Sequence, residues 1–353
     1  MTKSYNVKAN QIIIKVISQN DVARIFNNDI DVLFRVIEDS FSKYLRGIVL
    51  FPDKISQIFD QKTQDRINCM PATILGDDQV CGMKWVSVFP SNAMRNVQNV
   101  TGVMLLSELD YGFPVAVIDG TLATKMRTAG VGCVAAKYLA PSRVETIGII
   151  GCGEEARMHF ALLKHIFPSI KECRVSSRKE SSELAFIDKF KDIVSDVTFT
   201  SCKNDSHRCV ADADIIVTAI SGQSPILKAQ DITKGCLYIH VGGWEDEYEV
   251  ALKADKIVCD DWEASKHRTQ TICRMYKDGI LKDHDIYANL SDLIVGRKKG
   301  RENDNEFIYF NSVGLSYIDT NLANYIYREA QKRCLGKDVV LAEDNDVDYS
   351  SLI

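Results

Sequence analysis

The chain has 353 residues, of which 46% are hydrophobic and 26% are charged, and its formal net charge is −5 at pH 7. This length exceeds the usual span of one hydrophobic core, so we expect two domains. The small net charge gives no support to a nucleic-acid or membrane-surface partner, because such partners favour clustered Lys and Arg.

The N-terminal sequence lacks the apolar segment of a secretory signal, and no run approaches the ~20 apolar residues of a membrane helix. The 11 cysteines are scattered without a CxxC pair, as is typical of thiols kept reduced in a cytosol. Cys202, His207 and Cys209 form the only Cys/His cluster. We interpret it as a helix cap with a buried thiol, because zinc ligands usually come in fours with tighter spacing. A cytoplasmic protein without a metal site is therefore expected.

The first third of the chain predicts a mixture of strands and helices. An apolar strand opens at Ile12, and residues 21–45 have the periodicity of one amphipathic helix. Residues 66–118 alternate like strands, and a helix rich in small residues follows over 122–139.

From Glu145 the sequence changes to short, nearly all-apolar runs separated by segments of helix length. Strands that are apolar on both faces belong to a parallel sheet with helices on both sides. We therefore predict an α/β protein with a Rossmann-type, doubly wound domain of about six strands, which ends near residue 310. Residues 312–334 predict a last helix that packs back on the first domain.

The predicted domains are a dinucleotide-binding domain over residues 128–311 and a substrate-binding and dimerisation domain of α+β type. The second domain is formed by both chain ends, residues 1–127 and 312–353.

A Gly-x-Gly-x-x-Ala turn lies between a strand and a helix at residues 151–156. Gly151 permits the tight turn, Gly153 lets the backbone approach a pyrophosphate, and Ala156 lets the helix pack closely on the strand. The helix N-terminus then faces the phosphates. The residues predicted to contact the dinucleotide here are Gly151, Cys152, Gly153, Glu154 and Glu155.

The end of the second strand of this domain bears on the choice between NAD and NADP. An acidic residue there would bind the ribose 2′-hydroxyl, but the chain has Ser177, Arg178 and Lys179. Hydroxyls and cations suit a 2′-phosphate, although the two cations would also suit the start of a solvated helix. We predict that NADP(H) is preferred over NAD(H), with Ser177 and Arg178 in contact with the cofactor.

Motifs along nearly the whole chain resemble the ornithine cyclodeaminase/μ-crystallin family. The motifs are Met70-Pro71, Gly82-Met83-Lys84-Trp85, Met126-Arg127-Thr128-Ala129, Ile150-Gly151-Cys152-Gly153, Val241-Gly242-Gly243 and Asn311-Ser312-Val313-Gly314.

Within the family the chain is most similar to the siderophore-pathway branch that makes 2,3-diaminopropionate. The likeness rests on Asp65-Arg66-Ile67, on the segment from Ala254 to Trp262, and on the segment from Gly300 to Glu306. Members of this branch oxidatively cleave N-(2-amino-2-carboxyethyl)-L-glutamate, releasing diaminopropionate and 2-oxoglutarate. The resemblance implies the same reaction here.

The resemblance also implies site residues and a homodimer. Arg66, Lys84 and Arg127 match cations that hold the substrate carboxylate near the nicotinamide. The positions that match cofactor contacts of the family are Asn99, Arg127, Thr218, His240, Val241, Gly242 and Ser312.

Two positions depart from the family pattern. Cyclising members carry Asp directly after the Gly-Gly where this chain has Trp244, so we do not expect a cyclodeaminase. The diaminopropionate branch usually has an acidic residue where Ser177 stands, which argues against a preference for NAD.

The chemistry of amino-acid oxidation gives the matched cations distinct tasks. The planar fork of arginine suits a grip on a carboxylate, which makes Arg66 and Arg127 the expected clamp. Lys84 lies on an otherwise apolar strand, where an unpaired ammonium would be costly, and we predict that it is the catalytic proton shuttle. Glu245, Asp246 and Glu247 could supply a carboxylate, but as a charge run they are expected in a solvated loop. Trp244 either lines the pocket or packs in a core.

Three functions remain open from the sequence. One is the oxidation of an amine that joins two amino-acid skeletons, and another is an NADPH-dependent ketimine or imine reductase or an amino-acid dehydrogenase. The third is a non-catalytic protein of μ-crystallin type that binds NADP(H) or a small ligand. The presence of Arg66, Lys84 and Arg127 favours an enzyme acting on a small amino or imino acid.

Overall fold

The computed structural model describes residues 11–27, 29–95, 97–343 and 350. The chain divides into two compact units. Unit 1 comprises Met1–Val32, Arg46–Thr124 and Ser316–Ile353, and unit 2 comprises Leu33–Leu45 and Lys125–Leu315. No helix within the described ranges is long and apolar enough to cross a membrane.

The strands in chain order are β1 (Gln11–Ile17), β2 (Val49–Leu50), β3 (Ile55–Ile58), β4 (Arg66–Ile74), β5 (Val80–Val88), β6 (Val100–Ser107), β7 (Pro114–Asp119), β8 (Thr146–Ile150), β9 (Glu172–Ser176), β10 (Thr198–Ser201), β11 (Ile215–Thr218), β12 (Gln223–Leu227), β13 (Leu237–His240), β14 (Trp244–Asp246), β15 (Lys256–Cys259), β16 (Ala288–Asn289), β17 (Ile308–Asn311) and β18 (Lys337–Glu343). The α-helices are α1 (Gln19–Phe26), α2 (Asp31–Leu45), α3 (Gly120–Leu139), α4 (Glu154–Ile166), α5 (Glu180–Phe190), α6 (Ser206–Val210), α7 (Tyr248–Leu252), α8 (Trp262–Ser265), α9 (Thr271–Lys277), α10 (Leu290–Ile294) and α11 (Ser316–Lys332).

Unit 1 is built on an eight-stranded sheet in the order β18-β1-β7-β6-β5-β4-β2, with β3 also paired to β4. The pairs are antiparallel except β1 with β7. Buried and less buried residues alternate along β4 and β5, as expected of strands with one face in a core. Helix α11 packs on β4, β5 and β6 and covers that face.

Gly82 sets the close approach of α11 to this sheet. A Cβ atom at Gly82 would lie 2.8 Å from both Cγ2 and Oγ1 of Thr320 on α11, closer than real Cβ contacts. A side chain at this position would therefore push the helix away from the sheet.

Unit 2 contains a parallel sheet in the order β10-β9-β8-β11-β13-β17-β15-β16. All four residues of β11, β13, β15 and β17 are buried, which fits strands covered on both faces. The chain leaves β8 towards β9 and β10 and then returns to the other side of β8 at β11. This reversal is the switch point at which doubly wound sheets bind ligands, outside the carboxyl ends of the strands.

The α/β architecture with a Rossmann-type sheet and a second domain is confirmed, while several details differ from expectation. One helix over residues 21–45 is wrong, because α1 ends at Phe26 with Asn27 as its C-cap and α2 begins at Asp31. The polar side chains of Asn27 and Asp29 compete for backbone hydrogen bonds and favour a helix end there.

The Rossmann sheet has eight strands rather than about six. The two that sequence reasoning missed are β16, which has only two residues, and β17, whose four residues carry two aromatic side chains. Residues 33–45 also belong to unit 2. The apolar side chains of this helical segment, among them Leu33 and Ile37, contact the position of Gly130 on α3.

Candidate active site

The glycine turn after β8 has the geometry of a dinucleotide-binding loop. Gly151 has φ +105°, and a Cβ atom there would collide with the carbonyl oxygen of Ala219, which follows β11. The Gly151 amide donates to the Ser176 carbonyl at 2.8 Å, so the turn also touches the end of β9. Only glycine fits such a junction, because it accepts a positive φ without a side chain.

Gly153 and the start of α4 fit a bound pyrophosphate. A Cβ atom at Gly153 would meet nothing within 4 Å, so its backbone faces open space. Gly153 is the N-cap of α4, a helix of 13 residues, and it supplies no capping side chain to the first-turn amides. A phosphate can take the place of that missing cap and lies favourably at the positive end of the helix dipole. The residues of this turn therefore fit a dinucleotide.

The end of β9 presents hydroxyl and cationic groups to solvent. Arg178 and Lys179 are exposed, and the Ser177 hydroxyl donates to the Lys179 carbonyl at 2.9 Å. Arg178 and Lys179 precede the first residue of α5, Glu180, as the alternative helix-start interpretation also requires.

The Glu183 carboxylate of α5 accepts hydrogen bonds from the segments at this end of the sheet. Its carboxylate accepts the Ser177 amide at 2.8 Å, the Ser201 hydroxyl at 2.5 Å and the amides of Lys203 and Asn204 at 2.8 and 2.9 Å. Burial by itself would raise the pKa of Glu183, but these donors lower it. The carboxylate thus joins the segments that follow β9 and β10.

Lys84 and Asp319 form a buried ion pair in unit 1. Their Nζ and Oδ2 atoms are 2.7 Å apart, and both side chains are at most 2% exposed. Lys84 is in the middle of β5, and Asp319 is in the first turn of α11 beside the residue that packs on Gly82. The ammonium predicted to be costly on an apolar strand is therefore paired with a carboxylate.

Arg66 lies on the same face of the sheet as Lys84. Arg66 pairs with Val88 and Lys84 with Met70, and residues two apart on a strand share a face. The half-buried Arg66 guanidinium donates to the Gln64 carbonyl at 2.9 Å, and burial lowers the pKa of Arg66. Within the described part of the chain it forms no ion pair.

Arg127 belongs to unit 2, where it packs against the segment after β17. It is only 4% exposed, and a Cβ atom on Gly314 would collide with its guanidinium. Asp260 holds this segment by accepting the amides of Val313 and Gly314 at 2.8 and 2.9 Å. Burial raises the pKa of Asp260 to about 6 in spite of these amides.

The prediction that Glu245 and Asp246 lie in a solvated loop is wrong. Both side chains are 0% exposed, because residues 244–246 form β14, which pairs with β12. Glu245 accepts from the Thr218 hydroxyl at 2.7 Å and from the amides of Ile220 and Gly242 at 2.7 and 2.8 Å.

Asp246 accepts from hydroxyl groups of neighbouring elements. The Thr271 hydroxyl lies 2.6 Å from Oδ1, and the Tyr309 hydroxyl lies 3.2 Å from the same atom. Burial raises the pKa of Asp246 to about 6, although the nearby His240 lowers it. Glu247 is the N-cap residue of α7.

The structure distributes the remaining predicted cofactor residues unevenly. The side chains of Thr218 and His240 are fully buried at the ends of β11 and β13, and Ser312 is 4% exposed. Val241 is partly exposed, and so is Asn99 in unit 1. Thr218 and His240 therefore pack inside unit 2 at the carboxyl edge of the sheet.

From the sequence, Trp244 either lines the pocket or packs in a core, and the structure does not bury it fully in a core. It is partly exposed, and the Arg274 guanidinium lies 4.8 Å above its ring. Such a cation–aromatic contact fixes the indole at the surface of unit 2.

The Cys/His cluster lies around α6. The Asp205 side chain caps this helix, Cys209 donates to the Ile149 carbonyl at 3.3 Å, and His207 Nδ1 lies 2.8 Å from Asp231 Oδ1. Across the described residues, no group of three or more His, Cys, Asp or Glu is arranged to hold a metal ion.

Asp319 is the functional candidate that sequence reasoning missed. It lies among buried residues of α11, where a carboxylate needs a partner. Lys84 on its apolar strand needed one too. The signal available from the sequence was that Lys84 and Asp319 each needed a partner of opposite charge.

Comparison with known proteins agrees with this geometry. The ornithine cyclodeaminase/mu-crystallin family matches residues 15–333 of the chain. N-((2S)-2-amino-2-carboxyethyl)-L-glutamate dehydrogenase of Staphylococcus aureus is 29% identical over 273 residues, which cover 77% of this chain and 81% of that protein.

Two solved structures are similar over almost the entire length. Thermococcus litoralis Δ1-pyrroline-2-carboxylate reductase, in complex with NADH and L-proline, has a TM-score of 0.87 at 26% identity and covers 92% of this chain and 100% of its own. An archaeal alanine dehydrogenase dimer with bound NAD has a TM-score of 0.83 at 27% identity and covers 93% and 99%. The chain belongs to the ornithine cyclodeaminase/mu-crystallin family.

Proposed function

We propose that this protein oxidises the secondary amine of a conjugate of two amino acids, of the kind N-(2-amino-2-carboxyethyl)-L-glutamate. The protein is an NAD(P)-dependent oxidoreductase. The observation that carries the proposal is the half-buried Arg66 guanidinium, which shares a sheet face with the Lys84–Asp319 pair. A cation so placed suits a substrate carboxylate, and a binding protein for an uncharged ligand has no use for it.

The proposed reaction consumes one water and releases two products. The substrate loses two electrons and the hydrogen of the glutamate Cα as hydride, and the Cα–N bond becomes an imine. A nicotinamide dinucleotide held at the glycine turn of unit 2 would supply the oxidant for this step. Water then adds to this carbon, and the C–N bond breaks. The amine leaves as 2,3-diaminopropionate, and the carbon skeleton leaves as 2-oxoglutarate with one proton released.

The chain's cations have separate tasks in this proposal. Arg66 and Arg127 bind substrate carboxylates, because each guanidinium can grip two oxygens at once. Lys84 exchanges a proton with the substrate nitrogen, and Asp319 holds the ammonium in place. Glu245 does not serve as a substitute base, because both of its oxygens already accept hydrogen bonds.

A direct assay tests the substrate. Purified protein with NADP⁺ and the conjugate should produce reduced nicotinamide, 2-oxoglutarate and diaminopropionate in equal amounts, as measured by absorbance and mass spectrometry. Faster turnover of alanine would contradict this substrate, as would faster reduction of Δ1-pyrroline-2-carboxylate. Either result would make the protein an amino-acid dehydrogenase or imine reductase and leave its class unchanged.

Ornithine provides a second test. Because Trp244 replaces the Asp of cyclising relatives, ornithine should not yield proline and ammonia with a catalytic amount of cofactor. Formation of proline at a rate comparable with conjugate cleavage would refute this expectation.

For the cofactor, we propose a preference for NADP(H) on the basis of the exposed Arg178 and Lys179 beside Ser177. Ser177→Asp should shift the preference towards NAD(H), because the aspartate carboxylate repels the negatively charged 2′-phosphate. Titration of both oxidised dinucleotides with both proteins is the measurement. Equal or tighter binding of NAD⁺ by the unaltered protein would contradict the preference.

We also propose a homodimer formed through the sheet face opposite α11. Trp85 and Val103 pair across β5 and β6 on this face and are 38% and 40% exposed. An apolar sheet face of this kind marks an interface, and the similar alanine dehydrogenase is a dimer. Val103→Lys should yield monomers by light scattering, and a variant that remains dimeric would exclude this face.

A further inference from the structure

A fully buried carboxylate lies at the carboxyl edge of the unit 2 sheet, and nothing in the proposed chemistry uses it. Glu245 of β14 is 0% exposed. Its Oε1 accepts the Ile220 amide at 2.7 Å, while Oε2 accepts the Gly242 amide at 2.8 Å and the Thr218 hydroxyl at 2.7 Å. One side chain thus joins the end of β11, the segment after β11 and the segment after β13.

Gly242 is shaped around this carboxylate. A Cβ atom at Gly242 would collide with Glu245 Oε1 and would lie 2.7 Å from the Ile220 carbonyl oxygen. The chain therefore leaves space at position 242 for the carboxylate, which brings it within reach of the two backbone amides. Hydrogen bonds from amides to a buried carboxylate are charge-assisted and strong, so the two segments are held rigidly.

The position of the joined segments in the fold connects Glu245 with the dinucleotide. The glycine turn and the end of β9 serve the adenosine half, and the strands beyond the switch point serve the nicotinamide half. Ala219 and Ile220 follow β11 directly beside this switch point, where the Ala219 carbonyl abuts Gly151. Glu183 joins segments in the same way at the adenosine end.

We propose that Glu245 is a positioning residue for the nicotinamide half of the dinucleotide. By joining the segments after β11 and β13 it fixes the edge against which that half binds, without touching the substrate or the cofactor. Thr218 and Gly242 act through Glu245, the first as a donor to the carboxylate and the second as the space it occupies. The inference rests on dinucleotide binding and is independent of the proposed substrate.

The two ends of the crevice can be measured separately with two ligands. NADPH spans the crevice, whereas 2′,5′-ADP carries only the adenosine half. Glu245→Gln replaces one acceptor oxygen by an amide that faces a backbone donor. We expect it to weaken NADPH binding roughly 10- to 100-fold, the worth of one buried charge-assisted hydrogen bond, and to leave 2′,5′-ADP within about twofold.

Two further variants keep this test decisive. Glu183→Gln is the matched comparison at the adenosine end and should weaken both ligands equally, because both carry adenosine. Thr218→Val keeps the size of the side chain and removes one donor to Glu245, so it should follow Glu245→Gln in direction with a smaller effect, even if the glutamine variant folds poorly.

Fluorescence titration gives the affinities, and thermal unfolding without ligand reports whether each variant is folded. Equal weakening of both ligands by Glu245→Gln and Thr218→Val, or unchanged NADPH affinity in the folded variants, would overturn the proposal. If NAD(H) is the tighter cofactor, NADH and ADP replace the two probes. Failure of conjugate turnover would refute the substrate and leave this pattern of affinities intact.

Discussion

Two buried sites, Lys84 in unit 1 and Glu245 in unit 2, neutralise charge by different means. In unit 1 a buried ammonium, Lys84, is balanced by one carboxylate, Asp319, at 2.7 Å. In unit 2 the buried carboxylates of Glu183, Glu245 and Asp260 are balanced by backbone amides and hydroxyls. A side-chain pair keeps a proton that can be exchanged, whereas amide donors hold loops in place. We infer that the Lys84–Asp319 pair carries the acid–base chemistry and that Glu183 and Glu245 position the dinucleotide.

The largest effect should come from removing the buried Lys84 ammonium of unit 1. Lys84→Met alone would leave Asp319 buried without its cation, so we specify the double variant Lys84→Met/Asp319→Asn. Its turnover should fall roughly 10²–10⁴-fold, the usual contribution of a general acid–base group. Its dinucleotide affinity should change much less, because most of the proposed dinucleotide contacts lie in unit 2.

The matched control is Lys15→Met. Lys15 is also an ion-paired lysine of the unit 1 sheet, with Asp338 at 2.6 Å, but it is in the edge region on β1. Steady-state kinetics should find its turnover near normal. Near-normal turnover in the double variant as well would make the Lys84–Asp319 pair purely structural and remove the proposed difference between the units.

The second effect concerns stability. Asp319→Asn alone removes the carboxylate that lies 2.7 Å from the buried Lys84 ammonium, and breaking a buried pair in this way costs about 3–5 kcal/mol of unfolding free energy. The double variant removes both charges and should recover most of that loss. Urea unfolding of the single and double variants measures the difference. Equal stability of the two would mean that the pair is solvated in the folded protein.

The sequence predicts the fold more completely than the site. The Gly151–Gly153 turn, strands β1 and β4 to β7 of unit 1 and most of the parallel sheet follow from local patterns, because periodicity and glycine placement report the neighbours of each residue. Strands β2, β3 and β18 of unit 1 were not predicted. Glu245 was misassigned because a charge run normally lies in solvent, and only the pairing of β14 with β12 buries it. Asp319 was missed because its partner is 235 residues away in the chain.

A smaller effect should follow from changing the carboxylate grip in unit 1. Arg66→Lys keeps the charge but loses the planar fork, so the substrate KM should rise roughly 10-fold while kcat changes less. Arg328→Lys is the control, because Arg328 is an arginine of the same unit that pairs with Asp78 at 2.6 Å. Equal kinetic effects of the two substitutions would show that Arg66 is not a substrate contact.

The smallest expected effect is a pH dependence of stability that arises from the buried Asp246 carboxylate of unit 2. Asp246 lies near His240, Glu245, Tyr238 and Tyr309, and burial raises its pKa to about 6 from an ordinary value of 3.8. Because the folded state holds this proton more tightly than the unfolded state, its contribution to stability is fully present below about pH 4 and is lost as the pH rises through about 6. Between pH 5 and 7.5 the loss amounts to about 1 kcal/mol.

Asp246→Asn cannot titrate, so its melting temperature relative to the unaltered protein should rise by a few degrees over that interval. The comparison variant is Asp196→Asn, at an exposed carboxylate whose pKa is lowered by a hydrogen bond from Lys164, and its relative melting temperature should not rise. A relative melting temperature of Asp246→Asn that does not change with pH would mean that Asp246 is ionised throughout this interval.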